Sequence, residues 1–148
     1  MTAAATMLSE QQLIAAAKAP ILAYNDKNWD AVKAAITSDF IYDEVATNRK
    51  VEGLDQVLPL WKGWAAAFPD SKATFDNAYV SGDKVVLEIT WRGTHTGPLP
   101  LPKGPIAATG KKIEFRSCVV CEQIGEKAKL QRQYFDMATM LQQIGVGG

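Results

Sequence analysis

Near residue 70 the spacing of apolar side chains changes its period, and this feature constrains the fold more than any other. Before it, Leu13, Ala17, Ile21 and Tyr24 recur at helical intervals, and so do Trp29, Val32 and Ile36. Leu54, Leu58, Trp61, Ala65 and Phe68 form a third stripe of the same kind. After it, Val85, Leu87, Ile89 and Trp91 alternate with Val86, Glu88, Thr90 and Arg92, the two-residue repeat of a strand. Ile113, Phe115, Ser117, Val119 and Cys121 repeat that pattern opposite Glu114, Arg116, Cys118, Val120 and Glu122. Helices first and strands afterwards in series indicate α+β architecture, not a doubly wound parallel sheet.

Local signals punctuate the pattern. Ser9 followed by Gln12 is a capping box that opens the first helix, and Pro20 is expected to kink it. A second helix starts near Asn28. FIYDEV, Phe40 to Val45, reads as a strand, and the polar run ATNRKVEG after it as a loop. A third helix begins at Gly53 or Asp55, with Pro59 limiting its start, and Pro69-Asp70 ends it. Lys72 to Val80 is a strand, Ser81-Gly82-Asp83 a hairpin turn, and Gly125-Glu126 another turn. Lys129 to Phe135 is the last strand, and MATMLQQI a closing helix. The last strand does not alternate cleanly, so either Gln131, Gln133 and Phe135 or Arg132, Tyr134 and Asp136 face inward. The Pro-rich run between Gly93 and Gly110 cannot join a sheet ladder. It is either a lid over a site or a surface connection packed on its own leucines.

The expected architecture is one domain over residues 1–148, with residues 1–8 flexible. A curved, mostly antiparallel sheet carries three N-terminal helices on its concave face, and the resulting cone encloses a hollow. Trp29, Trp61, Trp64, Trp91, Tyr42 and Tyr134 can wall that hollow with aromatic surface. Charge argues against polyanionic partners: 16 Lys and Arg balance 16 Asp and Glu, which excludes a basic footprint for nucleic acid or anionic lipid. No apolar run approaches the ~18 residues that would cross a bilayer. MTAAATMLSEQQ lacks a basic n-region, so the expectation is no signal peptide and a cytoplasmic location. Cys118 and Cys121 are spaced C-x-x-C, but on a strand residues three apart point to opposite faces. They read as packed, reduced thiols, and no metal site is expected.

Four segments carry a resemblance. YNDKNWDAVKAAITSDFIYDE, LWKGWAAAFPD, LEITWRGTHTGPLP and RQYFDMATMLQQIG together resemble the SnoaL-like polyketide cyclase group of the nuclear-transport-factor-2-like superfamily. The resemblance extends from about Leu13 to Gly145. It implies a cone-shaped fold, a homodimer, and an intramolecular aldol closure without metal or organic cofactor. It also implies an acidic residue on the last strand as general acid and base. The RQYFD motif places that residue at Gln133, where this chain has an amide. The polar positions on the preceding and first strands fall at Ser117, Val119 and Tyr42.

An amide cannot take a proton from a carbon acid, although it can orient a carbonyl or donate to a developing enolate. His95, the single histidine, and Asp136 are therefore the candidate proton carriers. Each has an alternative: His95 as a tie between strand end and flap, Asp136 as the cap of the closing helix. Asp43 and Glu44 read as an exposed acidic pair at a strand end, although Glu44 shares a side with Tyr42. Arg92 and Glu114 are expected to form a cross-strand ion pair that also sets Trp91 opposite Phe115. Substrate contacts are assigned to Tyr42, Trp61, Trp64, Trp91, Ser117 and Gln133. The expected ligand is a small, apolar, carbonyl-containing molecule, handled by a cofactor-independent cyclase, isomerase or lyase. The alternatives are a ligand binder without catalysis and a dimerisation module.

Overall fold

The computed structural model describes residues 8–146, so most of the segment expected to be flexible lies outside the described residues. Helix α1 spans Glu10–Asn25, and Ser9 and Gln12 close their capping box in both directions. The helix runs through Pro20 as one element, and its buried face carries Ala17, Ile21 and Tyr24. Helix α2, Trp29–Ala35, is capped by Asn28. It ends a residue earlier than its apolar spacing predicts, because β-branched Ile36 and Thr37 open strand β1, Ile36–Glu44.

The predicted loop after β1 is a reversal with structure of its own. A single 3₁₀ turn, Val45–Thr47, and a left-handed Asn48 turn the chain into strand β2, Arg49–Glu52. Helix α3, Leu54–Ala67, begins after Gly53 at φ 84° and continues through Pro59. Strands β3 (Lys72–Ser81), β4 (Lys84–Thr94), β5 (Lys112–Ile124) and β6 (Lys127–Phe135) follow, then helix α4, Met137–Gln143. The predicted hairpin register holds: Trp91 pairs with Phe115, and Arg92 donates to Glu114 at 2.9 Å.

The six strands form one sheet in the order β2-β1-β6-β5-β4-β3. All neighbours are antiparallel except β1 and β6, which run parallel with Tyr42 beside Gln131 and Glu44 beside Gln133. This pairing puts the first strand next to the last. Helices cover one face of the sheet. Ala17 and Ile21 of α1 pack on Val85, Leu87, Ile89, Val119 and Cys121. Trp61 of α3 meets Phe40 and Tyr42 edge-on at 5.6 and 5.4 Å, contacts each contributing about 0.5–1.5 kcal/mol beyond burial. The fold is the α+β cone expected, with α4 as a short fourth helix at its end.

The flap is a surface connection, not a lid. Leu99 is fully buried against the core that holds Phe68, Ile113, Met140 and Ile144, and it bridges to Ile106. The amides of Thr96 and Gly97 both donate to the Ala67 carbonyl at 3.1 Å, closing the end of α3. Gly97 is required there, since a Cβ would overlap the backbone oxygen of Ala66. No flap residue lines the hollow. Cys118 and Cys121 are free thiols on opposite faces, and burial pushes the Cys121 thiol up to about 12.

Candidate ligand chamber

Between helices and sheet lies a narrow hollow of about 70 Å³ that opens to solvent at one end. Pro20, Ile21 and Tyr24 of α1 form one wall, and Trp61, Trp64 and Phe68 at α3 another. The sheet supplies Trp91 from β4, Ile113, Phe115 and Val119 from β5, and Gln131, Gln133 and Phe135 from β6. The ambiguity of the last strand is therefore resolved. Gln131 and Gln133 face inward, whereas Arg132 turns out and donates to Asp43 at 3.0 Å.

Polar atoms in this apolar chamber are concentrated at one place. Trp91 Nε1 donates to Gln133 Oε1 at 3.0 Å and to Ser117 Oγ at 3.1 Å. Gln133 Nε2 donates to the Tyr42 hydroxyl at 2.6 Å, and that hydroxyl donates to Glu44 Oε2 at 2.8 Å. Trp64 Nε1 reaches the same carboxylate oxygen at 2.8 Å. The other oxygen accepts from the Thr47 hydroxyl and from Arg49, whose Nη2 lies 2.7 Å away. Arg49 also sits over the Trp64 ring, 5.9 Å from its centre. The result is a continuous chain of donors from Trp91 through Gln133 and Tyr42 to a carboxylate with no solvent exposure.

Burial pushes the Tyr42 hydroxyl well above its ordinary value, and the neighbouring Glu44 charge adds to the effect. Tyr42 is therefore a neutral proton donor at any physiological pH. A buried carboxylate is tolerated when every lone pair meets a donor, and the turn after β1 supplies Thr47 and Arg49 for that purpose. A second polar point is Tyr24, whose hydroxyl shares a 2.8 Å hydrogen bond with Ser71.

Of the residues assigned substrate contacts, Tyr42, Trp61, Trp64, Trp91 and Gln133 line the chamber. Ser117 lies behind Trp91 and acts as its acceptor. The two candidate proton carriers do not belong to the chamber. His95 is fully buried beneath the flap, its ring 5.1 Å from that of Phe68. Its Nδ1 accepts from the Thr109 amide at 3.3 Å and contacts the Thr109 hydroxyl at 3.0 Å, so the ring ties the strand end to the flap. Burial lowers its pKa, which keeps it neutral. Asp136 caps α4, accepting from the Thr139 amide at 3.2 Å and its hydroxyl at 2.7 Å. Those bonds lower its pKa. The acidic pair expected to be exposed is split by strand alternation: Asp43 faces outward to Arg132, and Glu44 faces into the chamber. Among the described residues no group of three or more His, Cys, Asp or Glu is arranged to hold a metal ion. No described helix is long and apolar enough to cross a membrane.

A family model described as SnoaL-like polyketide cyclase matches residues 14–144. No curated protein matches the chain. Solved structures share its fold at low identity. IdmH from Streptomyces antibioticus, a putative polyketide cyclase, is 22% identical, with a TM-score of 0.76 over 91% of this chain and 99% of that one. A protein from Catenulispora acidiphila with a ketosteroid isomerase-like fold is 19% identical, with a TM-score of 0.72 over 94% and 95%. An LEH-like epoxide hydrolase from M. tuberculosis is 21% identical, with a TM-score of 0.70 over 90% of each chain.

Proposed function

Since the chain belongs to the SnoaL-like polyketide cyclase family, we propose that its chamber binds a small, apolar, carbonyl-bearing molecule and moves a proton on it without a cofactor. The observation that carries this reading is the fully buried Glu44 carboxylate in an otherwise apolar hollow, joined to Tyr42 by a 2.8 Å hydrogen bond. Gln133 occupies the position at which the family acid was expected, and Glu44 is its register partner on the neighbouring strand. The acid is displaced by one strand, not lost.

A consistent proton path follows. The Tyr42 oxygen takes the proton from the carbon next to the substrate carbonyl while its own proton passes to Glu44. The electron pair left behind delocalises onto the carbonyl oxygen. The second N–H of Gln133, which has no protein acceptor, polarises that oxygen. Return of the proton to another carbon completes an isomerisation, and attack of the enolate on a second carbonyl completes a ring closure.

The test is solvent deuterium exchange into the position next to the carbonyl of 1-tetralone, followed by proton NMR. The wild type is expected to accelerate exchange. Glu44→Gln and Tyr42→Phe are expected to lose it by about 10²-fold or more, the usual contribution of a positioned acid–base group. Gln is chosen because Ala at 44 would strand the donors of Arg49, Trp64 and Tyr42 at a cost of about 3–5 kcal/mol. A second reading, binding without catalysis, is favoured by the engagement of both Glu44 oxygens with donors. Binding of 1-tetralone without any acceleration of exchange would select it.

We also infer that two copies pair through the outer sheet face. Tyr79 and Tyr134 stand exposed there, and Val86, Cys118 and Val120 lie between them and the charged residues. Sedimentation should give twice the 16.1 kDa chain mass, and Tyr134→Glu should return it to one. A wild type that sediments as a single chain at micromolar concentration refutes the pairing.

A further inference from the structure

The polar cluster around Glu44 satisfies itself, but other buried side-chain atoms of the same sheet, on Thr37, Gln123 and Gln131, do not, and of these three residues only Gln131 lines the chamber. Gln131 is 3% exposed and lines the chamber, and its Nε2 has no hydrogen-bond partner. Its two direct register partners offer none. On one side it pairs with Cys121, and on the other with Tyr42, whose hydroxyl is already engaged by Gln133 and Glu44. A buried amide donor without an acceptor costs stability, so its place on a chamber wall calls for an acceptor from outside the chain.

We propose that Gln131 is a specificity residue that reads an acceptor oxygen on the ligand, separate from the oxygen polarised by Gln133. The inference rests on the chamber's being a ligand site, and it deepens that reading by naming the ligand's form. Residues two apart on a strand are displaced by about 6.6 Å along it. Gln131 and Gln133 thus present two amides along one wall of an otherwise apolar space. The molecule that fits is an apolar body with two carbonyl-type oxygens. One lies at the Tyr42–Gln133 end, where the proton moves. The other lies toward Gln131, where it is only held. Gln131 touches no reacting atom in this scheme, and its contribution is to orient the ligand and to discriminate among ligands.

The test compares Gln131→Met and Gln131→Leu with the wild type in two measurements. The first is calorimetric titration with 1,4-naphthoquinone, which carries two carbonyl oxygens across one ring system, and with 1-tetralone, which carries one. The wild type is expected to prefer the two-oxygen probe by about tenfold, and both variants should bind the two probes within about twofold of each other. The second is thermal unfolding of the ligand-free proteins. Removing an unpaired buried donor should raise the Tm of at least one variant by about 2–4 °C.

A preference that survives in both variants overturns the proposal, as does a fall in Tm for both, which would mean that the amide is paired within the fold. Failure of either probe to bind the wild type overturns the proposal together with the chamber reading beneath it. Loss of deuterium exchange in Glu44→Gln, or its persistence, bears on the chemistry alone and leaves the role of Gln131 to be decided by the two measurements above.

Discussion

At the scale of single residues, Glu44 and His95 are both fully buried, and each is held differently. Glu44 is surrounded by donors from four residues: Tyr42, Thr47, Arg49 and Trp64. His95 is neutral, and its Nε2 has no partner. The depressed pKa of His95 means that the unfolded chain binds the extra proton more readily than the folded one. Its contribution to stability is therefore complete above about pH 6.5 and is lost as pH falls through the lower folded value. Thermal unfolding from pH 7.5 to 5 should show Tm declining in the wild type and a flatter profile for His95→Asn. Equal slopes would contradict this account. The same two residues mark how far residue-level reading of the sequence reached. Strand alternation put Glu44 on the side of Tyr42, which was the usable signal. Its partners Thr47, Arg49 and Trp64 come from a turn, a strand and a helix whose convergence no local pattern encodes. An acidic pair at a strand end thus looked solvent-exposed. His95 attracted a catalytic role because of its chemistry, while its burial against Phe68 depends on how the flap returns to α3.

At the scale of elements, the helices and hairpins were legible because their signals are local. A capping box, a two-residue repeat and a Gly turn each act within a few residues. The register of β4 against β5 was legible too, because one pairing satisfied both the ion pair and the aromatic face. Strand β2 was missed. It is four residues long, lies at the sheet edge, and alternates half-buried and exposed side chains without a strong apolar face. The flap illustrates a different limit. Its prolines mark it as extended, but whether it covers a site depends on where Leu99 inserts. Its attachment to α3 makes a specific prediction. Gly97→Ala forces a methyl group against the Ala66 carbonyl, and overpacking of this kind costs about 1–3 kcal/mol. The variant should unfold at lower urea concentration, with faster hydrogen exchange at the backbone amides of positions 96 and 97. Unchanged exchange there would show that the contact is not an anchor.

At the scale of the whole molecule, the parallel pairing of β1 with β6 holds the architecture together and places both halves of the polar cluster side by side. Tyr42 and Glu44 come from the first strand, and Gln131 and Gln133 from the last. Sequence patterns could announce both strands but not their adjacency, because nothing in either segment specifies a neighbour so remote: Tyr42 and Gln133 are 91 residues apart. Contact at such separation requires closure of a long loop before it is rewarded, which slows folding. A fragment ending at residue 126 retains every helix except α4, yet it lacks the strand that covers β1. Far-ultraviolet circular dichroism and urea titration should find it without a cooperative transition. A sharp transition would mean that β1 docks elsewhere.

That adjacency has a consequence for the living cell. While the ribosome is still producing the middle of the chain, Phe40 and Tyr42 have emerged but lack the strand that will shelter them, and they must wait until β6 has been made. Throughout that interval the nascent polypeptide displays a greasy ribbon left open along one edge, so its safe maturation depends on the speed of synthesis and on whatever chaperone reaches the tunnel exit first.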